Sequence, residues 1–178
     1  MTGRVQEIWT APSAAVPMVR RPSVAALPGV GLAGDRYALG GGTWARYPEL
    51  EKQVTLIDAD GVAAAGREAG VDLSPGDTRR NVVTGGIDLP ALVGGYFAVG
   101  DVLLFGSKRC PPCRHLEQLT GHKLIKLLLT RGGINAAVFA GGAISEGDLV
   151  RAVSDEEAAE RGAPVGAERP VARTVALG

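Results

Sequence analysis

The sequence predicts a mainly β chain with a few helices, closing into a compact barrel, on three observations. Seven short runs rich in Val, Ile, Leu and Phe are separated by turn residues. The 178 residues include 26 Gly and 11 Pro, so turns are frequent, yet no collagen period is present. Helix end signals, finally, frame only a few segments.

The strands expected are 5–9, 53–57, 81–84, 96–99, 102–106, 136–140 and 149–153. Two of them follow Gly-Asp pairs, Gly100-Asp101 and Gly147-Asp148, which read as turns launching a strand. Glycine supplies a positive φ, and the Asp side chain is suited to accept from the backbone just beyond it. A first helix is predicted from Asp58 as N-cap to Gly70 as the left-handed residue that ends it. A second runs from Cys113 or Leu116 to Thr130, with Leu124, Leu127 and Leu128 on one face and Gly132-Gly133 beyond. A short third one starts at Ser154, where Ser154-Asp-Glu-Glu157 fits a capping box. Residues 1–162 read as one domain. Residues 163–178 read as a tail, or as an added edge strand through 171–177.

Composition excludes several function classes. Nineteen Lys and Arg balance nineteen Asp and Glu, and aromatic residues make up 4% of the chain. Neither the basic stripe nor the stacking platforms of nucleic-acid binding are present. No apolar run approaches the roughly 20 residues of a membrane span, and the first residues lack the apolar core of a signal peptide, so a cytoplasmic protein is expected. Within this neutral chain, residues 107–131 carry Lys108, Arg109, Arg114, Lys123, Lys126 and Arg131 against Glu117 alone. Arg79 and Arg80 form another basic spot. Arginine forks converging near a cysteine suit a small anionic ligand, although such charge is also compatible with plain solvated surface.

The most informative string is Lys108-Arg109-Cys110-Pro111-Pro112-Cys113-Arg114-His115, at a strand-to-helix junction. Prolines cannot extend a helix from upstream, so the helix begins near Cys113. Its sulfur then sits beside unpaired amides and the positive end of the helix dipole. Together with Arg109 and Arg114 this favours a thiolate at Cys113, acting as nucleophile or as ligand to a soft metal. A buried structural cysteine is the competing reading. Cys110 and Cys113 also form a Cys-x-x-Cys spacing that a reversible disulfide could use, but the chain lacks the alternating strands and helices of a thioredoxin fold. Cys110, Cys113, His115 and His122 would give four zinc ligands, without the usual spacing. Two thiols are too few for an iron–sulfur cluster.

The order of motifs resembles the MOSC family, the domain named after the C-terminal part of molybdenum cofactor sulfurases. It runs through Gly29-Val-Gly31-Leu-Ala-Gly34-Asp35-Arg36-Tyr37, Gln53-Val-Thr-Leu-Ile57 and Arg79-Arg80-Asn81-Val-Val-Thr-Gly85-Gly86. Val99-Gly100-Asp101, Cys110-Pro-Pro-Cys113, Arg131-Gly-Gly133-Ile-Asn and Gly141-Gly142-Ala-Ile-Ser-Glu-Gly147-Asp148 follow. The resemblance implies a MOSC-type β-barrel. It implies that Cys113 either carries sulfane sulfur as a persulfide or ligates molybdenum, with Cys110 as a resolving thiol or a mere neighbour. It also implies that Arg80 and Asn81 lie near a pterin-binding cleft, and that Asp35 and Arg36 match the family's Gly-Asp segment. Asp35 and Asn81 can equally be structural, since both adjoin turn-type sequence. A pterin phosphate would find Arg79, Arg80, Arg109 or Arg114 as bidentate partners.

The resemblance therefore implies molybdenum cofactor as ligand. Pyridoxal phosphate is not expected, because the aminotransferase-like part of cofactor sulfurases has no counterpart here. A sulfur donor or redox partner protein must then supply sulfur or electrons. Sulfur transfer and reduction of N-hydroxylated substrates are the activities implied; a non-catalytic cofactor carrier and a thiol–disulfide oxidoreductase are the alternatives.

Overall fold

The computed structural model describes residues 2–43, 45 and 52–171. Its strands are β1 (Thr2–Thr10), β2 (Val19–Arg21), β3 (Ser23–Leu27), β4 (Gly31–Leu32), β5 (Val54–Asp58), β6 (Val82–Gly85), β7 (Tyr96–Val99), β8 (Val102–Arg109), β9 (Ile134–Ala140), β10 (Gly142–Ser145) and β11 (Leu149–Val153). The main sheet runs β11-β7-β8-β9-β5-β6-β1, and β11 also pairs with β1, so seven strands close into a barrel; β2 extends from β1 outside the ring. All pairs around the barrel are antiparallel except β5 with β6. The crossover between that parallel pair is helix α1 (Ala59–Ala69). The seven barrel strands are the seven that the sequence predicts.

Alternation places the core. Val5, Leu56, Val82, Phe97, Leu104, Ala136 and Val150 come from all seven barrel strands and belong to one buried cluster. In β1 the buried set switches from odd to even positions because the register with β6 shifts between Val5 and Glu7, a bulge that keeps Ile8 inside. The opposite faces of β7 and β8 are apolar as well. Tyr96, Ala98, Leu103 and Phe105 form a second cluster with Ala158 of α4 (Asp155–Glu160), which explains why these strands show no polar alternation. A third cluster joins Ile57 and Val83 to Val62, Leu116, Leu124 and Leu128, contributed by α1, α2 (Arg114–Thr120), α3 (Ile125–Leu128) and the turn leading into α3.

Helix α1 has the predicted ends: Asp58 Oδ2 accepts from Gly61 N at 2.8 Å, and Gly70 sits at φ 68°. The helix expected from Cys113 to Thr130 is instead two. Gly121 adopts φ 71° and stops α2, and the chain restarts as α3 after Leu124. Ser154 caps α4 through Glu157 N at 3.1 Å, but the other half of the box does not form, because the Glu157 carboxylate turns to Arg151 at 2.5 and 2.8 Å. The turn residue Asp148 also differs from expectation: its Oδ2 accepts from Ser145 N, on the upstream side.

The sequence reading does not include β2, β3, β4 or β10; β3, β4 and β10 form a separate three-stranded sheet. Past Gly162 the chain folds back on the barrel. Ala163 is buried, Tyr96 Oη donates to Pro164 O at 2.5 Å, and Arg169 pairs with Asp155 at 2.6 Å. No strand forms up to Val171, and the rest of the possible edge strand, 172–177, lies outside the described residues. No helix among the described residues is long and apolar enough to cross a membrane.

Candidate functional site

At the end of the barrel where β8 hands over to α2, the chain surrounds an open cavity of about 330 Å³. Its wall is the Cys110–Cys113 turn, and its floor includes a polar row crossing three neighbouring strands. Asn135 of β9 stands directly opposite Thr55 of β5 on one side and Lys108 of β8 on the other. These three are 2%, 4% and 5% exposed, and Thr55 and Asn135 lie on the sheet face opposite the core residues Val54, Leu56, Ile134 and Ala136. Cross-strand neighbours share a face, so one polar stripe is aimed at one place.

Arg80 builds the wall. It is 8% exposed, and its guanidinium donates to four main-chain oxygens. Nε reaches Gly132 O at 2.9 Å, Nη1 reaches Thr78 O at 3.0 Å, and Nη2 reaches Cys110 O at 2.7 Å and Pro111 O at 3.3 Å. A planar five-donor fork is the one side chain that can tie three separate loops at once. Cys110 N adds a bond to Gly133 O at 2.8 Å, fixing the turn to the start of β9. Gly132 is required for this approach, since a Cβ there would stand 2.6 Å from Cys110 O.

Cys113 is the N-cap of α2, with φ −131° and ψ 164°, and its sulfur makes no capping hydrogen bond. The side chain is partly buried, packing against the Leu116 cluster on one side and lining the cavity on the other. Cys110 lines the same cavity, and both thiols are free. The two prolines between them do what the sequence predicts: the helix starts immediately after Cys113.

Asp35 and Asn81 lie behind the cavity, fully buried and internally satisfied. Asp35 accepts from Ala11 N, Tyr37 N, Asn81 Nδ2 and, at 3.0 Å, the Arg36 guanidinium. Asn81 Oδ1 accepts from Thr55 N and Oγ1, and its Nδ2 also donates to Trp9 O. The pair locks β1, β5 and the loop after β4 together. Arg36 joins them, donating to Arg79 O at 2.8 Å.

The cationic lining comprises Arg36, Lys52, Arg79, Arg80, Lys108 and Arg109, with no carboxylate from the described residues. Their duties differ. Arg79 is the single described non-glycine residue at positive φ (58°); it donates to Val16 O and Ser13 O, and burial with the Arg36 charge lowers its pKa. The Arg109 guanidinium lines the cavity with no side-chain hydrogen bond to the described residues, whereas its main-chain oxygen accepts from Asn135 Nδ2. Burial, reinforced by the Lys108 charge and opposed by Cys110 and Cys113, brings the Lys52 ammonium down to about 8. Arg114 departs from expectation. As the first residue of α2 it is exposed and outside the lining, because Cys113 and Leu116 take the inward directions of that turn. Of the four zinc candidates, His115 lines the cavity and accepts or donates a bond with Thr43 Oγ1 at 3.2 Å, whereas His122 lies elsewhere. No three His, Cys, Asp or Glu among the described residues converge to hold a metal ion.

Sequence reasoning did not single out Asn135, Lys52 or Thr55. A sequence signal existed for Asn135: a polar residue inside the apolar run 134–138.

Comparison with known proteins agrees with this architecture. No curated protein sequence matches the chain. The YuaD protein of Bacillus subtilis superposes with a TM-score of 0.70 at 19% identity, covering 84% of this chain and 94% of that one. YiiM of Geobacillus stearothermophilus gives 0.65 at 16% identity, with 85% and 75% covered. YiiM of Escherichia coli gives 0.62 at 18% identity, with 93% and 80% covered. These likenesses show the fold. The family model of the MOSC domain matches residues 33–151, which span the loop after β4, Arg80, the cysteine turn and most of the closing strand, and the chain belongs to the MOSC family.

Proposed function

We propose that this cavity binds molybdenum cofactor, with Cys113 supplying the protein's thiolate to the metal. MOSC domains are in general associated with that cofactor. The observation that carries the reading is the position of Cys113: a free thiol at a helix N-terminus, without a capping bond, on the wall of a cavity lined by cations. A soft sulfur suits a soft metal, and a cationic surround suits a phosphate. Since no cluster of three His, Cys, Asp or Glu among the described residues could complete a metal site, a metal here would take one of these residues, Cys113, as ligand and the rest from its own organic carrier.

Bound there, the cofactor would supply a metal centre able to exchange electrons and oxygen with a substrate. The chain's own residues have simpler tasks. Arg80 and Gly132 hold the cysteine turn rigid, so the sulfur is presented in one place. Arg109 and Lys52 offer positive charge to an anionic tail, and the apolar sides of Pro112 and Leu116 keep the thiol from full hydration. Electrons would come from a partner protein, and an N-hydroxylated compound fits as substrate class.

A second reading rests on Cys110 lining the same cavity. Cys113 would attack the terminal sulfur of a donor persulfide, forming a new S–S bond as the donor's breaks and the donor leaves as a thiolate. Cys110 would later attack the inner sulfur of the Cys113 persulfide, releasing hydrosulfide and leaving a Cys110–Cys113 disulfide.

The test is expression in a host that makes the cofactor. Metal analysis and pterin fluorescence should find molybdenum and pterin together in the wild type, and both should fall at least about tenfold in Cys113→Ser, since a hydroxyl is a poor ligand for a soft metal. Cys110→Ser should retain them. A protein carrying neither metal nor pterin, but a 32 Da adduct on Cys113, would support the sulfur-carrier reading instead.

A further inference from the structure

The chain has four lysines, and none lies far from the cysteine turn: Lys52 and Lys108 line the cavity, while Lys123 and Lys126 lie on the α2–α3 corner that continues from the turn. Arg114, Lys123 and Lys126 are exposed, and among the described residues none of the three makes an ion pair or a side-chain hydrogen bond. Surface arginines elsewhere are tied down. Arg20 pairs with Glu7 and Glu146, Arg131 with Glu68, Arg151 with Glu157 and Arg169 with Asp155. Glu117 is the one carboxylate of α2 and α3, and its Oε1 accepts from Ile125 N at 2.9 Å, so it closes the corner and neutralises no lysine. Negative charge collects on another side. Residues 146–160 carry six Asp and Glu against Arg151 alone, and α4, with Glu156 and Glu160 exposed, packs over β7 and β8, whereas α2 and α3 pack over β5 and β6. A chain of zero net charge thus keeps one face positive and another negative.

Exposed ammonium groups on flexible stems stay hydrated and do not converge on one small ion. Such a face instead attracts and orients a broad surface of opposite charge, at long range and in a salt-dependent way. Leu119, 39% exposed on α2, adds an apolar contact within it. Arg114 directly follows Cys113, so whatever covers the face lies against the cysteine turn. The patch is short and residues 114–128 contain no Phe, Tyr or Trp on which a base could stack, which disfavours nucleic acid. We infer that the α2–α3 face is the docking surface for a folded acidic carrier protein, seated over Arg114, Leu119, Lys123 and Lys126 with its own reactive group beside the cysteine turn. That this carrier delivers electrons or sulfur rests on the proposed function; the docking itself does not.

The probes are a bacterial flavodoxin and a plant-type two-iron ferredoxin, both small acidic carriers. Titrated into the isotope-labelled full chain at about 20 mM salt, each should shift the amide signals of 114–126 ahead of those of α4, with Kd below about 1 mM. Raising salt to about 200 mM should weaken binding at least about tenfold. The combined change Arg114→Glu, Lys123→Glu and Lys126→Glu should lower affinity at least about thirtyfold, whereas Glu156→Gln with Glu160→Gln should stay within about twofold of wild type. All five side chains are exposed, so both variants should melt within about 3 °C of wild type; if the triple variant unfolds, Lys126→Glu alone should still weaken binding about threefold. No shifts from either probe at about 1 mM, shifts centred on α4, or unchanged affinity in the charge-reversed variants would each overturn the inference. So would shifts from a DNA duplex or from phosphatidylserine vesicles with none from the two proteins. A chain that loads molybdenum and pterin yet ignores both carriers would refute this inference alone. One that docks them through this face while loading neither would keep it and lose the proposed function.

Discussion

Replacing Arg80 by Met tests whether the cysteine turn is held by one guanidinium. Four charge-assisted bonds to main-chain oxygens, at 2.7–3.3 Å, would be lost. At about 1.5–3 kcal/mol each the gross loss is about 6–12 kcal/mol, but Met also removes the cost of burying a guanidinium, and removing one partner of a buried charged network typically costs about 3–5 kcal/mol net. For a chain of this length that is a fall of about 6–20 °C in melting temperature. Urea unfolding followed by fluorescence measures the stability. The rate at which a disulfide reagent titrates Cys110 and Cys113 measures the turn, and it should rise at least about tenfold as the loop opens more often. Arg80→Lys, whose single ammonium reaches at most one of the loops at a time, should fall between wild type and Met on both measurements. A loss below about 1 kcal/mol with unchanged thiol rates would refute the reasoning, because it would mean the turn is held by its prolines and backbone alone.

Three further outcomes are expected. Gly133→Ala should destabilise by about 2–4 kcal/mol in urea unfolding, since the residue sits at φ 85° and a Cβ would collide with the Leu56 carbonyl oxygen where β9 meets β5. Asp35→Asn should cost about 2–4 kcal/mol at pH 7, because it leaves the 5%-exposed Arg36 side chain without its counter-charge. For Lys52, whose folded value of about 8 lies below its ordinary 10.5, the folded state binds fewer protons between those values. Its penalty is therefore absent above pH 10.5 and fully imposed once pH falls below about 8. Competitive acylation should show Lys52 titrating near 8, and the stability advantage of Lys52→Met over wild type should shrink as pH rises across that window.

The barrel was legible because its strands are bounded by chemistry that the sequence displays. The run 96–99 ends at Gly100, which adopts φ 55°, and 149–153 begins after Gly147 at φ 90°; both strands form as read. The separate sheet was not legible, for an equally physical reason. Strand β3, Ser23–Leu27, is Ala-rich and alternates exposed and buried positions, and β4 is two residues long. Such segments become strands only when pairing partners far along the chain, here β10, present themselves.

The candidate site divides along similar lines. Cys110 and Cys113 could be read because proline rigidity and helix initiation are local, and the helix does begin after Cys113. The arginines could be found but not sorted. Charge marks Arg109 and Arg114 beside the cysteine motif and Arg80 in a separate basic spot, whereas burial gives Arg80 to the backbone, leaves Arg109 facing the cavity and turns Arg114 to solvent. Asn135 shows the limit most clearly. A single Asn in an apolar run has many harmless explanations until the register places it between Thr55 and Lys108 and its oxygen is found without a donor. Which atoms remain unsatisfied after the barrel has closed is a property of long-range pairing that no window of the sequence contains.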